Sequence, residues 1–178
     1  DEQLNFGVTT TEIKSGYGLD VENEIKQLRV IRRLNEAHAM DVVPTCMAAH
    51  AVPPEFAGRT DAYVDYVCET ILPQVAKEHL ARYCDVFCET GVFSVAQSRR
   101  VLETARALGL GLKIHADEID AFGGAQLAGE LGAISAEHLI ATDESGIAAL
   151  SAGGVTACLL PQTSLYLGKH FARAREMI

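Results

Sequence analysis

Lys113-Ile114-His115-Ala116-Asp117-Glu118 is the stretch whose reading decides the fold. Leu110 to Ile114 is a short apolar run behind the helix-stopping Gly109, the pattern of a buried strand. His115 is then expected at the strand's end, with Asp117 and Glu118 in the loop that follows. An imidazole at a strand tip with a carboxylate three residues on suits hydrolytic metal chemistry. Neutral imidazole binds an ion, and the carboxylate can move a proton of water. His-x-x-Glu alone is more often a surface turn beside a partly buried histidine, so the surroundings decide.

Upstream, strands and helices alternate. Val8 to Lys14 is rich in β-branched residues and reads as a strand, broken by Ser15-Gly16-Tyr17-Gly18. Asp20 suits an N-cap for a helix whose apolar residues, Val21, Ile25, Leu28, Ile31 and Leu34, recur at helical spacing. Val42 to Met47 is the next strand despite Pro44, and it leads into Ala49-His50-Ala51. Thr60 is expected to cap a second helix, which Pro73 should kink or restart. Asp85 to Glu89 is a strand, and Ser94 with Gln97 forms a capping box for the helix that runs to Leu108.

Downstream of Glu118 the same rhythm continues. A helix spans about Gly124 to Leu131, and a strand from Ala133 to Glu137 ends at His138. A helix from Asp143 to Ala152 is followed by a strand from Val155 to Leu160, and another helix begins near Ala172.

About six βα units with no linker between them leave two architectures, a doubly wound sheet or an arc of a (β/α)8 barrel. A doubly wound nucleotide binder wants a glycine-rich phosphate turn after its first strand. Gly16-Tyr17-Gly18 is too short for one, and neither Gly123-Gly124 nor Gly168-Lys169-His170 completes the pattern. The barrel accounts for something else. Tyr17, His50, Glu89, His115, Glu118 and His138 all fall at or just beyond the C-terminal ends of different strands, which in a barrel share one mouth. A complete barrel takes ~250 residues and eight units. The expectation is therefore an α/β fold, an incomplete TIM barrel of about six βα units, with residues 1–178 forming a partial barrel domain.

Composition bounds the function. Nearly half of the 178 residues are apolar (48%), enough for a buried core. The formal charge of −9 argues against nucleic acid and anionic membranes as partners. No apolar run approaches the ~20 residues of a membrane span. The N-terminal residues have no signal-peptide character, and the lack of an initiator methionine suggests that Asp1 is not the natural start. Five scattered cysteines suit buried thiols in a reducing compartment, and a cytoplasmic location is expected.

With these motifs in hand, the chain resembles the imidazolonepropionase family of the amidohydrolase superfamily. The resemblance is carried, in the family's order, by Thr11-Glu12-Ile13-Lys14-Ser15-Gly16-Tyr17-Gly18, Ala49-His50-Ala51-Val52-Pro53-Pro54-Glu55 and Cys84-Asp85-Val86-Phe87-Cys88-Glu89. Lys113 to Glu118, Ser135-Ala136-Glu137-His138-Leu139 and Leu159-Leu160-Pro161 complete it. It implies a metal-dependent barrel enzyme that hydrolyses the ring of 4-imidazolone-5-propanoate to N-formimidoyl-L-glutamate in histidine degradation, using one zinc or iron ion. His115 matches the metal-binding histidine of strand five. Glu118 matches the carboxylate that touches the substrate and handles the proton of the attacking water. Tyr17 and His50 match substrate-binding positions, and His138 matches the catalytic histidine of strand six. The strand-one His-x-His pair, an early substrate-binding arginine and the strand-eight aspartate have no counterpart here, so the chain by itself is expected to be inactive. The implied partner is a small-molecule substrate, and the resemblance leaves room for a homodimer of a longer protein.

Two other readings stand beside this one: another amidohydrolase, such as a nucleobase or cyclic-amidine deaminase, and a non-catalytic binding module on the same fold. His38, His79 and His170 read as solvated surface and the role of Glu89 is open.

Overall fold

The computed structural model describes residues 2–178. Six strands, β1 (Thr10–Lys14), β2 (Asp41–Ala49), β3 (Tyr83–Cys88), β4 (Gly111–Ala116), β5 (Ser135–His138) and β6 (Thr156–Cys158), form one sheet in sequential order. Every neighbouring pair is parallel. A doubly wound sheet would reverse its order at a switch point, and this one does not. The sheet also curls. In a flat sheet β1 and β5 would lie about 19 Å apart, at ~4.8 Å per strand step. Instead Lys14 Nζ on β1 reaches to 3.4 Å from Glu137 Oε1 on β5, and Lys113 Nζ on β4 reaches to 2.7 Å from Glu12 Oε2 on β1. The sheet is an arc of a barrel.

The helices cover the outer face. The first short helix, α1, spans Glu2–Asn5, and α2 (Val21–Ala37) links β1 to β2. The β2–β3 connection carries α3 (Thr60–Tyr66) and α4 (Leu72–Lys77). After it come α5 (Val95–Ala107), α6 (Gly124–Leu131), α7 (Glu144–Gly153), α8 (Pro161–Tyr166) and α9 (Ala174–Met177). Strand residues such as Val86, Ile114 and Ala136 point outward into a core shared with Leu28, Ile71, Leu102 and Leu127. Fully burying each such aliphatic side chain stabilises the fold by roughly 1.5–3 kcal/mol.

Local caps form where the sequence places them. The Asp20 side chain accepts from the Asn23 N–H at the start of α2, and Ser94 and Gln97 form a reciprocal capping box on α5. The helix restarts at Pro73, as expected: a π-helical turn, Val67–Ile71, separates α3 from α4, and Pro73 stands in the first turn of α4, where proline is tolerated. Two expectations are corrected. Thr60 lies inside α3, whose cap position is Arg59 and carries no side-chain bond. Finally, β4 runs through His115 to Ala116, so the imidazole sits inside the strand and points into the barrel.

The inner face of the arc is polar. Glu12 and Lys14, Thr45, Asp85, Lys113 and His115, and Glu137 project into the barrel interior and join one polar network. It forms the floor beneath the strand ends. No helix among the described residues is long and apolar enough to cross a membrane.

Candidate active site

The strand periodicity that sends Ile114 outward sends His115 inward. Its Nδ1 lies 3.0 Å from Oδ1 of Asp85, which projects from the neighbouring β3. The Asp85 side chain is fully buried, and burial would push its carboxyl up. The His115 contact and the Lys14 ammonium, 2.5 Å from Oδ2, outweigh that and hold it well below the usual carboxylate range. An ionised Asp85 accepts the Nδ1–H of His115, so the free lone pair of the ring belongs to Nε2.

Five further side chains gather around His115. His138, at the end of β5, has its ring centroid 5.1 Å away, and His50, one residue beyond β2, lies at 6.0 Å. Tyr17 stacks obliquely on His50 at 4.4 Å. Phe87, on the inner face of β3, sits edge-on to both His50 and His115. Glu118 approaches His138 from the β4 loop, with Oε1 3.6 Å from Nδ1. All five residues expected from the sequence are thus brought to one mouth at the strand ends, a contact row from Tyr17 through His50, His115 and His138 to Glu118.

Their protonation follows from their setting. Burial, with the neighbouring His115 second, pulls the His138 imidazole down to about 4, so it is neutral at pH 7. His50 is lowered for the same two reasons. Burial raises the Glu118 carboxyl, and the nearby Glu89 adds to this against the opposing pull of His115. The Nδ1 atom of His138 is buried and makes no hydrogen bond among the described residues. Its backbone is left-handed, φ 73°, as is that of Leu139, φ 55°. Consecutive residues of this kind cost about 1–3 kcal/mol each and concentrate at functional sites.

The loop that carries Glu118 is held from two sides. Glu89, whose role the sequence leaves open, is buried; its Oε1 accepts the Thr90 N–H and its Oε2 the Ile119 N–H, both at 2.8 Å. Asp117, with φ 50°, turns its carboxylate inward. Its Oδ1 accepts the N–H groups of Phe122, Gly123 and Gly124, and its Oδ2 accepts the Thr142 hydroxyl. Glu118 is therefore presented on a fixed turn.

No family model matches the chain. Curated relatives do, over its whole length. The chain is 58% identical to the imidazolonepropionase of Alkaliphilus metalliredigens, matching 100% of the chain and 42% of that protein. It is 56% identical to the imidazolonepropionase of Parabacteroides distasonis, again over 100% of the chain and 43% of that protein. The chain belongs to the imidazolonepropionase family. It spans less than half the length of these relatives. Among solved structures, an adenosine deaminase from Xanthomonas campestris with bound zinc superposes over 99% of the chain and 40% of its own, with a TM-score of 0.61 at 18% identity. A Xaa-Pro dipeptidase follows at a TM-score of 0.55 and 13% identity, over 84% of the chain and 41% of its own. At such identities the likeness speaks for the barrel fold alone.

The residues of this imidazolonepropionase-family segment fit a metal cofactor. Donor atoms of Asp85, His115 and Glu137 converge within 4.8 Å of one another. The carboxylates of that trio already face cations. Lys14 contacts both of them, and Lys113 lies 3.2 Å from Glu137. Two ammoniums at that spot oppose a further cation, so the donor left for an ion is Nε2 of His115, with Asp85 fixing its tautomer from behind.

Asp85, Lys14, Glu12, Lys113, Glu137 and Phe87 are absent from the residues the sequence singles out for the site. Their signal is present nonetheless. Polar pairs at a spacing of two flank an apolar residue: Lys113/His115 the buried Ile114, Ser135/Glu137 the buried Ala136 and Glu12/Lys14 the half-buried Ile13. That is the pattern of a barrel with a polar inner layer.

Proposed function

We propose that the protein containing this chain is a metal-dependent hydrolase that opens the ring of 4-imidazolone-5-propanoate to N-formimidoyl-L-glutamate, on a barrel domain to which residues 1–178 contribute. The observation that carries this reading is the meeting of Tyr17, His50, His115, Glu118 and His138 at one strand-end mouth, in a chain 58% identical to an imidazolonepropionase. The ion is zinc or iron, since an imidazole donor serves both.

His115 would hold the ion through Nε2, and the chemistry the ion would supply is Lewis-acid polarisation of water. Glu118 does the proton work. Its carboxylate takes a proton from the water as the water oxygen adds to the ring carbonyl carbon, then delivers it to the ring nitrogen as the carbon–nitrogen bond breaks. The old carbonyl becomes a carboxylate and the nitrogen stays with the formimidoyl group, so the atoms balance as one water added. A carboxyl raised by burial is better matched to both halves of that task than an exposed one. His138, neutral at pH 7, is placed to hydrogen-bond the reacting oxygen without repelling the ion. Tyr17 and His50 form the wall that orients the ring.

The substrate is a small molecule, and the free thiols Cys46, Cys68, Cys84, Cys88 and Cys158 suit a cytoplasmic enzyme. The test is product analysis. Metal-replete full-length protein incubated with 4-imidazolone-5-propanoate should yield N-formimidoyl-L-glutamate, identified by mass. Release of ammonia from a nucleobase, with the imidazolone untouched, would transfer the site to a deaminase.

A further inference from the structure

Tyr17 is 70% exposed, yet its place is tightly determined by backbone that no ordinary turn would choose. Gly16 has φ 138°, Tyr17 φ 57° and Leu19 φ 60°. Two non-glycine residues in the left-handed region within three positions cost about 1–3 kcal/mol each, and the loop persists only if its surroundings overrule that cost. The overruling groups come from the first turns of α2. Glu24 is fully buried. Its Oε1 accepts the N–H of Gly18 at 2.9 Å and that of Leu19 at 3.1 Å. One helical turn on, Gln27 Oε1 accepts the Gly16 N–H at 3.1 Å. The fit leaves no slack, because a Cβ on Gly18 would stand 2.8 Å from Glu24 Oε1 and from its backbone nitrogen. On the other side a Cβ on Gly16 would stand 3.1 Å from His50 Nδ1. The second Glu24 oxygen, Oε2, is buried and accepts no hydrogen bond among the described residues. A carboxylate buried for the sake of two loop N–H groups is costly unless those bonds matter.

We propose that Glu24 and Gln27 are positioning residues for substrate binding: they hold the Gly16–Leu19 loop in its strained form so that the Tyr17 ring lies against His50 at the mouth. The proposal rests on the reading that Tyr17 contacts substrate. Glu24 touches neither substrate nor the reacting atoms and acts only through the loop. Since a single oxygen accepts both bonds, a glutamine at this position keeps the acceptor and loses the charge, whereas a leucine loses both bonds.

The test is steady-state kinetics of the full-length, metal-replete protein, with 4-imidazolone-5-propanoate as substrate. Glu24→Leu should raise KM roughly tenfold, on the scale of one to two net hydrogen bonds, with kcat and metal content near wild type. Glu24→Gln should restore KM to within about threefold. In a Tyr17→Ala background, itself raised in KM, Glu24→Leu should add nothing further, as expected for two residues acting through one contact. A merely structural role predicts the opposite, an additive loss with lowered kcat or metal content in both backgrounds, and overturns the proposal. A raised KM in Tyr17→Ala with an unchanged KM in Glu24→Leu overturns it too. An unchanged KM in Tyr17→Ala removes the substrate role of Tyr17 and the proposal with it, while leaving the hydrolase reading intact. If Glu24→Leu does not fold, Gln27→Met, which frees only the Gly16 N–H, carries the same test with a smaller rise in KM expected and no rise overturning the proposal.

Discussion

Replacing Lys14 by methionine should destabilise the barrel floor by about 3 kcal/mol. Lys14 Nζ stands 2.5 Å from Asp85 Oδ2, 3.4 Å from Glu137 Oε1 and 3.6 Å from Glu12 Oε2. With Lys113 it balances three carboxylates, for a formal sum of −1 that becomes −2 in the variant. Breaking a buried pair by removing one partner typically costs ~3–5 kcal/mol. The lower end applies, because the Lys14 side chain is 22% exposed and Asp85 keeps its bond from His115. The assay is urea unfolding of the full-length protein at pH 7, followed by far-ultraviolet circular dichroism. Adding Asp85→Asn should recover part of the loss, since an amide needs no counter-charge. Acid unfolding supplies a second readout. Burial would raise the Glu12 carboxyl, but bonds from Lys113 and Thr45 and the charge of Lys14 hold it below its ordinary 4.5. A group depressed on folding contributes stability that is fully present above its unfolded value and is lost as the pH falls through the folded one. Lys14→Met weakens the depression, so the acid unfolding midpoint should move to higher pH. A variant within about 0.5 kcal/mol of wild type, with an unmoved acid midpoint, would refute the reasoning about an ionic floor.

Other expectations follow from the same geometry. His115→Ala should lose the bound metal under mild chelation while keeping its circular dichroism, and stoichiometric metal in the purified variant would show that His115 is not a ligand. Asp85→Asn should weaken metal affinity ~10–100-fold by loosening the tautomer of His115, measured by competition with a chromogenic chelator. Gly129→Ala should cost about 1–3 kcal/mol in thermal unfolding, because a Cβ there would clash with the Ala149 carbonyl oxygen of α7.

Much of the fold was legible because its signals are local. Asp20 and the Ser94–Gln97 pair announce helix starts through bonds made within four residues. The recurrence of Val21, Ile25, Leu28 and Ile31 needs only one helix face to be read. What stayed hidden depends on partners far along the chain. Pro73 announces a restart of the helix, but the π turn Val67–Ile71 that precedes it has no signal in the sequence. His115 looks like a strand tip because apolar residues stop at Ile114, whereas the strand continues one pair further against β3 and β5. The candidate site was legible where residues stand at strand ends, as His50 and His138 do. It was not legible on the inner face, where Asp85 and Lys14 are 71 residues apart in sequence and only barrel closure joins them. Glu24 reads as an ordinary acidic residue of a helix first turn, and its second task appears only once the Gly16–Leu19 loop is folded against it.

Glu118 tests the account most directly. Glu118→Gln preserves the shape and hydrogen-bonding reach of the side chain but cannot carry a proton, and losing a general acid–base group typically lowers the rate ~10²–10⁴-fold. In steady-state hydrolysis of 4-imidazolone-5-propanoate by the metal-replete full-length variant, kcat should fall within that range while metal content is unchanged and KM shifts only modestly. Unchanged turnover with a raised KM would give Glu118 a binding role alone and contradict the proton transfer placed at this mouth.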